Sequence, residues 1–223
     1  MTKPFIHREK SLDYLYSGIA AVLAYLLGSL SFAVIVSRAM GLKDPRSYGS
    51  KNPGATNVLR SGNKAAAVVT LLLDGLKGWL PVVLVRWFGK DYALEDGTVA
   101  LVALAAFLGH LFPVFFRFKG GKGVATAAGA LLGIDWLLGL AILATWVIVA
   151  YFSRYSSVAS MAAAACAPLF YLIGDRGPWY AERSILLAIF IISMLLVMRH
   201  RENVAKLMQG TESKLTFGKK AVK

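Results

Sequence analysis

The stretch GVATAAGALLGIDWLLGLAILATWVIVAYF, residues 123–152, decides how this chain is folded. It is 30 residues long and carries one charge, Asp135. A helix needs about 20 residues to cross the hydrocarbon of a bilayer. Thirty is too many for one ordinary crossing and few for two. Either Asp135 marks a turn between two helices, or the run is a single overlong span.

The rest of the chain makes a membrane the expected setting. Of its 223 residues 57% are hydrophobic, and the mean hydropathy is +0.59. Soluble domains are roughly 45–50% apolar. Five further apolar runs stand out: Tyr14–Ser37, Ala65–Val85 with Asp74 and Lys77 inside it, Val99–Phe116 with His110 and Pro113, Val158–Ile173 and Ser184–Met198. The formal net charge of +13 sits in ends and loops. Nucleic-acid binding would account for the charge but not for the apolar runs, so no nucleic-acid partner is expected. Tyr14–Ser37 holds 24 residues without a charge, longer than a signal-peptide core, and reads as a span rather than a cleaved signal. The single cysteine, Cys166, cannot form an internal disulfide and reads as a small core residue.

Charge placement chooses between six spans and seven. With seven, 17 of the 25 Lys and Arg fall on one side and 7 on the other, Lys77 being inside a span. With six the split is 11 against 13. Cytoplasmic loops carry the excess of Lys and Arg. The expectation is an all-α, multi-pass integral membrane protein with seven transmembrane helices, N-terminus out and C-terminus cytoplasmic, and Asp135 in a tight outer turn. Residues 1–223 read as a single domain, with 1–12 an N-terminal extension of no assigned function and 213–223 a basic tail. Small residues in ATAAGALLG and ASMAAAACA suit closely packed helices.

Under this topology the polar segments gather on the cytoplasmic side. YGSKNPGATNVLR, residues 48–60, sets Ser50, Asn52, Thr56 and Asn57 among glycines and a proline and ends on Arg60. Glycines let backbone N–H groups turn toward one anion, hydroxyl and amide groups add donors, and Arg supplies a bidentate fork. The same residue types are ordinary in turns and caps, so on this stretch alone a plain loop reads equally well. RFKGGKGVAT, residues 117–126, places Lys122 among Gly120, Gly121 and Gly123 before a helix start, where unpaired N–H groups and the dipole attract anions. It is not a nucleotide-binding P-loop: Phe116 stands where that pattern needs glycine, and Gly123 where it needs Ser or Thr. MRHRENVAKLMQGTE, residues 198–212, spaces His200 and Asn203 three apart, on one helix face. Histidine exchanges protons near neutral pH and Asn donates to a developing oxyanion; a histidine at the end of a span is also an ordinary interfacial cap. SRYSSVAS, residues 153–160, adds hydroxyls at the same face. The three histidines, at 7, 110 and 200, are too scattered for a metal cluster, so no metal is expected. Asp74 and Lys77, one turn apart within a span, read equally as a functional pair and as a structural ion pair.

GSKNPGATNVLR, GHLFPVFFRFKGGKGVAT and RHRENVAKLMQGTE together resemble the bacterial membrane glycerol-3-phosphate acyltransferases that take acyl phosphate as donor. The resemblance runs in order and spacing from about Leu27 to Glu212, and departs in Lys51, where the family usually has Gly, and in Lys206, where Arg is common. It implies a seven-span enzyme of the bacterial cytoplasmic (inner) membrane, its active site facing the cytoplasm, without metal or cofactor. The implied reaction moves an acyl group from acyl phosphate to the 1-hydroxyl of sn-glycerol 3-phosphate, giving lysophosphatidic acid and phosphate, the first step of phospholipid biosynthesis. The implied partners are these two substrates, membrane lipid and, by function, the enzyme that makes acyl phosphate. By position, Ser50, Asn52, Thr56, Arg60 and Lys122 match the family's phosphate-binding residues, and His200, Asn203 and Ser157 its active-site polar residues. Asn57 is a further phosphate-binding candidate. Gly121, Gly123, His110, Thr126 and Glu212, within the same stretches, are candidate supporting residues.

The chemistry agrees with that assignment. Acyl phosphate is already an activated mixed anhydride, so neither thiol nor metal is needed. Arg60 and Lys122 would stabilise phosphate charge, and Asn203 with Ser157 the carbonyl oxyanion. His200 would orient the hydroxyl or take its proton, with the substrate's own phosphate the alternative base. A transporter for an anionic metabolite is the competing reading, but it predicts midplane sites and repeated halves. The topology has its own test: a reporter fused after Lys223 is expected to work only if it is a cytoplasmic reporter, and an external signal would restore six spans.

Overall fold

The computed structural model describes residues 3–215, with side chains over residues 13–215. The last eight residues of the expected basic tail, and the first two of the expected extension, lie outside the described residues. Everything regular is helical: α1 Lys3–Gly28, α2 Phe32–Ala39, α3 Ala55–Leu59, α4 Lys64–Phe88, α5 Asp96–Leu111, α6 Val124–Ile134, α7 Trp136–Ser153, α8 Ser156–Ile173, α9 Arg183–Arg199 and α10 Arg201–Met208.

The run 123–152 is two helices. Asp135 ends α6 in an extended conformation, and its carboxylate accepts from the N–H groups of Leu137 (2.8 Å) and Leu138 (3.1 Å), capping α7. The cap explains how one charge breaks an otherwise apolar run: it satisfies N–H groups that lipid would leave unpaired. Yet α6 has only 11 residues, about 16 Å of helix at 1.5 Å per residue, short of a ~30 Å hydrocarbon layer. Among the described residues four helices are long and apolar enough to cross, or up to six if each bent pair counts as one span.

One bent pair lies inside an expected continuous span, Tyr14–Ser37, and the other just past the end of the last expected span, Ser184–Met198. The first apolar run breaks between Gly28 and Phe32, with a 43° bend. The last turns by 47° between Arg199 and Arg201. The third ends at Leu111 rather than Phe116, because Pro113 disfavours helical geometry in the residue before it.

Lipid offers no hydrophobic drive for helix pairing, so close contact of small residues has to supply it. Helix α4 lies against α6, and α1 against α5. At the first contact a Cβ on Gly129 would collide with the Gly75 carbonyl, and one on Gly78 with the Thr126 carbonyl. At the second, Gly28 and Gly109 leave the same kind of room for the backbones of Ala106 and Tyr25. The core between them is Val82, Ala103, Leu131, Leu138 and Ile189. Outside, large apolar side chains such as Leu72, Val147, Phe152 and Ile173 are exposed, an inside-out surface suited to hydrocarbon.

Gly129→Val is expected to destabilise the bundle by about 1–3 kcal/mol or more through overpacking, read as a lower midpoint of thermal unfolding in detergent. Gly97→Ala, where a Cβ meets nothing within 4 Å, is the control and is expected to leave the midpoint unchanged or slightly raised. Equal midpoints for both variants would dismiss the close-packing account.

Candidate active site

Two loops and the joint of α9 with α10 converge at one end of the bundle. The first loop precedes α4. Asn57, on α3, is 2% exposed. Its amide donates to the carbonyls of Pro45 (2.6 Å) and Tyr48 (3.2 Å), while its oxygen accepts from Ser50 N–H (3.1 Å) and Arg60 (3.5 Å). The expectation placed Asn57 among the phosphate ligands; here its side chain is consumed in folding the loop. Gly49 lies against it, where a Cβ would strike its oxygen. Among the described residues the side chains of Ser50, Asn52 and Thr56 make no hydrogen bond within the protein and none of the three is buried, so their donors are free in a loop that Asn57 holds shut. Lys51 has φ +55, in the left-handed region that favours glycine. That backbone geometry explains why a glycine is usual at this position.

The second loop carries Lys122. Its backbone is gripped by Arg199, whose guanidinium donates to Gly120 O (3.0 Å) and Gly121 O (3.0 and 3.2 Å). Arg199 counted only as a topology-setting charge in the sequence; no spacing signal links it to residues 78 positions away. A Cβ on Gly121 would lie 3.0 Å from Pro53 O, so the two loops touch there. Gly123, with φ +82, starts α6, and a side chain on it would collide with Phe107.

The third element is the joint itself. His200 is not within a continuous helix, as its spacing from Asn203 suggested, but sits at the 47° break, 2% exposed. Its carbonyl accepts from Asn203 N–H at 2.8 Å. Its Nδ1 lies 2.8 Å from Leu196 O. A carbonyl only accepts, so Nδ1 carries the hydrogen and Nε2 the lone pair. Burial pushes the imidazole pKa down to about 4, helped by the Lys122 charge and opposed by the Leu196 carbonyl and Glu212. The ring is therefore neutral at pH 7.

A chain of polar contacts ties these elements together. Lys122 Nζ donates to Asn203 Oδ1. Asn203 Nδ2 donates to Glu212 Oε1 (2.7 Å), which also accepts from Ser157 Oγ (2.9 Å) at the start of α8. Ser157 has one hydroxyl hydrogen and spends it on Glu212; Asn203 keeps a second Nδ2 hydrogen. Glu212, expected only as a supporting residue, is the node that joins α8 to α10. Burial lowers the Lys122 pKa to about 8; Glu212 and Glu202 act against that shift, Lys206 and Arg60 with it. Lys122 is thus a mostly charged, half-buried cation with a neutral histidine, an amide and a loop of unpaired hydroxyls around it. Such a set suits a phosphorylated ligand and an acyl group next to it.

A family model described as glycerol-3-phosphate acyltransferase matches residues 18–210. A glycerol-3-phosphate acyltransferase of Albidiferax ferrireducens is 61% identical over 212 residues, covering 95% of this chain and 94% of that one. One from Paraburkholderia xenovorans is 63% identical over 203 residues, covering 91% and 92%. Among solved structures, the crystal structure of PlsY (YgiH), an integral membrane glycerol 3-phosphate acyltransferase, matches in its glycerol 3-phosphate form with TM-score 0.82 and 35% identity, over 91% of this chain and 96% of that one. The lysophosphatidic acid form of the same enzyme matches with TM-score 0.80 and 34% identity.

An amine-reactive reagent read by mass spectrometry is expected to label Lys122 with a pH midpoint near 8, against about 10.4 for a free lysine. A midpoint near 10.4 would mean that burial does not depress this amine.

Proposed function

The chain belongs to the glycerol-3-phosphate acyltransferase family, and from that premise we propose that it transfers a fatty acyl group from acyl phosphate to the 1-hydroxyl of sn-glycerol 3-phosphate. The products are lysophosphatidic acid and phosphate, the opening step of phospholipid biosynthesis. The reading includes seven crossings of the bacterial cytoplasmic membrane, N-terminus out, with the site at the cytoplasmic face. It rests there on the charge bias and on Asp135 separating α6 from α7, the 11-residue α6 crossing together with the chain that leads into it. Its partner in function is the enzyme that supplies acyl phosphate.

One observation carries the proposal: Lys122, from the glycine turn, meets Asn203 beside the buried His200, with the Ser50–Arg60 loop touching the same turn. Two phosphorylated substrates need several donors and cations at one place, and this is where the fold gathers them. Lys122 and Arg60, with Ser50, Asn52 and Thr56, hold phosphate. The substrate hydroxyl attacks the acyl carbonyl carbon, the bond from that carbon to the phosphate oxygen breaks, and the hydroxyl proton ends on the departing phosphate. The spare Nδ2 hydrogen of Asn203 donates to the carbonyl oxygen as charge builds there, and Ser157 keeps Glu212, and so Asn203, in place.

The low His200 pKa favours the substrate phosphate over the imidazole as base. A base works best with a pKa near the working pH. At about 4, His200 is a poor store for a proton, whereas a phosphate monoester has its second pKa near 6. The role that fits is for Nε2 to accept a hydrogen bond from the substrate hydroxyl and aim it, while phosphate takes the proton.

Purified protein given acyl phosphate and glycerol 3-phosphate, with no added metal, is expected to form lysophosphatidic acid; no product from acyl phosphate would sink the proposal. Lys122→Ala, in protein that still inserts and keeps its unfolding midpoint, is expected to lose on the order of 10²-fold in kcat/KM. Unchanged turnover at limiting substrate would remove its phosphate role.

A further inference from the structure

Among the buried polar side chains that touch neither substrate in the proposed mechanism is a cluster of four: Asp74 and Lys77 of α4, His110 of α5 and Thr126 of α6. Ionisable groups within a membrane protein are costly to keep unless they do something. Lys77 has a clear task. It donates to Leu30 O at 2.7 Å, in the break between α1 and α2, and Asp74 Oδ1 lies 2.8 Å from its ammonium. His110 has no such use within the helices. Its Nδ1 is 3.1 Å from Thr126 Oγ1 and 3.6 Å from Asp74 Oδ1. A carboxylate beside Nδ1 favours the hydrogen on that nitrogen, so the ring donates to Thr126 and turns Nε2 away from the core.

That outward edge meets the glycine turn. A Cβ on Gly121 would collide with His110 Nε2, and one on Gly120 with the carbonyls of His110 and Leu111. Gly121 N–H also donates to His110 O at 3.1 Å. The turn is therefore clamped: Arg199 holds the carbonyls of Gly120 and Gly121, and His110 supports the same two residues by ring and backbone. Lys122 is the next residue, and Thr126 fixes the ring to the first turn of the helix that follows.

We infer that His110 is a positioning residue for Lys122: oriented by Asp74 and Thr126, its imidazole sets the height of the Gly120–Gly123 turn and with it the place of the ammonium in the site. The inference rests on the proposed phosphate role of Lys122. It assigns the buried Asp74–His110–Thr126 group a function in substrate binding, beyond holding helices together.

A double-mutant cycle tests it in the full-length protein in one lipid or detergent, with acyl transfer and thermal unfolding both measured. His110→Asn is expected to lower kcat/KM roughly tenfold, mainly through a higher KM, since displacements of about 1 Å cost up to ~10²-fold. In the Lys122→Ala background the same substitution is expected to change kcat/KM less than about twofold, because coupled residues are non-additive. Thr126→Val runs the same cycle should His110→Asn fail to fold: it is expected to lose activity in the same direction, with Thr126→Ser restoring it. Equal fold-losses with and without Lys122, or losses that follow the unfolding midpoint with KM unchanged, would overturn the inference. If Lys122→Ala alone leaves turnover unchanged, the phosphate reading fails and the inference falls with it, an outcome the single variant identifies.

Discussion

The carbonyl of Leu30 lies in the break between α1 and α2, where a turn bond from Phe32 N–H (3.1 Å) replaces the helical ladder. A backbone carbonyl left short of donors in hydrocarbon is costly, and the break takes from this one its i+4 helical donor. Lys77 answers it with a hydrogen bond of 2.7 Å. The answer creates a further demand, a buried positive charge, which Asp74 neutralises at 2.8 Å, close enough for an ion pair though not aligned as a hydrogen bond. Removing one partner of such a pair typically costs about 3–5 kcal/mol. From Asp74 the polar contacts pass to His110, then to Thr126 and the glycine turn. A broken helix near one edge of the bundle is thereby tied to the loop that presents Lys122.

Small residues make that tie possible. The contacts Gly75–Gly129 and Gly78–Thr126 bring α4 and α6 close enough for Asp74 and Thr126 to face the same histidine. A larger residue at either contact would part the helices and open the polar group to lipid. Packing and electrostatics are thus one constraint in this bundle: the glycines fix the helix spacing, and that spacing lets a few charges satisfy each other without water.

At the site end the same economy recurs with the solvent nearer. Glu212 accepts from Ser157 and Asn203 at once, Asn203 accepts from Lys122, and Arg199 holds the loop from which Lys122 comes. Each group is oriented by another protein group, an arrangement preorganised for charge. His200, buried at the joint of α9 and α10, is kept neutral by that burial, and a neutral ring can accept a hydrogen bond from a hydroxyl.

Much of this was legible in the sequence. Apolar runs and the placement of Lys and Arg identify an all-helical membrane protein, because insertion depends on composition along the chain. Asp135 was legible as a turn because a single charge in thirty apolar residues has few other uses. The motifs around Ser50 and Lys122 suggested an anion and the one around His200 proton exchange and an oxyanion donor, since glycine, hydroxyl and basic residues at short range are local chemistry. Tertiary structure alone decided the rest. It turned Asn57 inward to hold its own loop, made Glu212 the centre of the polar chain, gave Arg199 a structural grip, and set His200 at a bend rather than on a straight helix face. It also left α6 at 11 residues, shorter than a crossing. The contacts of Asn57, Glu212 and Arg199 reach residues as far as 12, 55 and 79 positions away. Composition and spacing report which groups are available, but which groups meet depends on how closely the helices pack, and that distance is set by glycines whose partners lie on other helices.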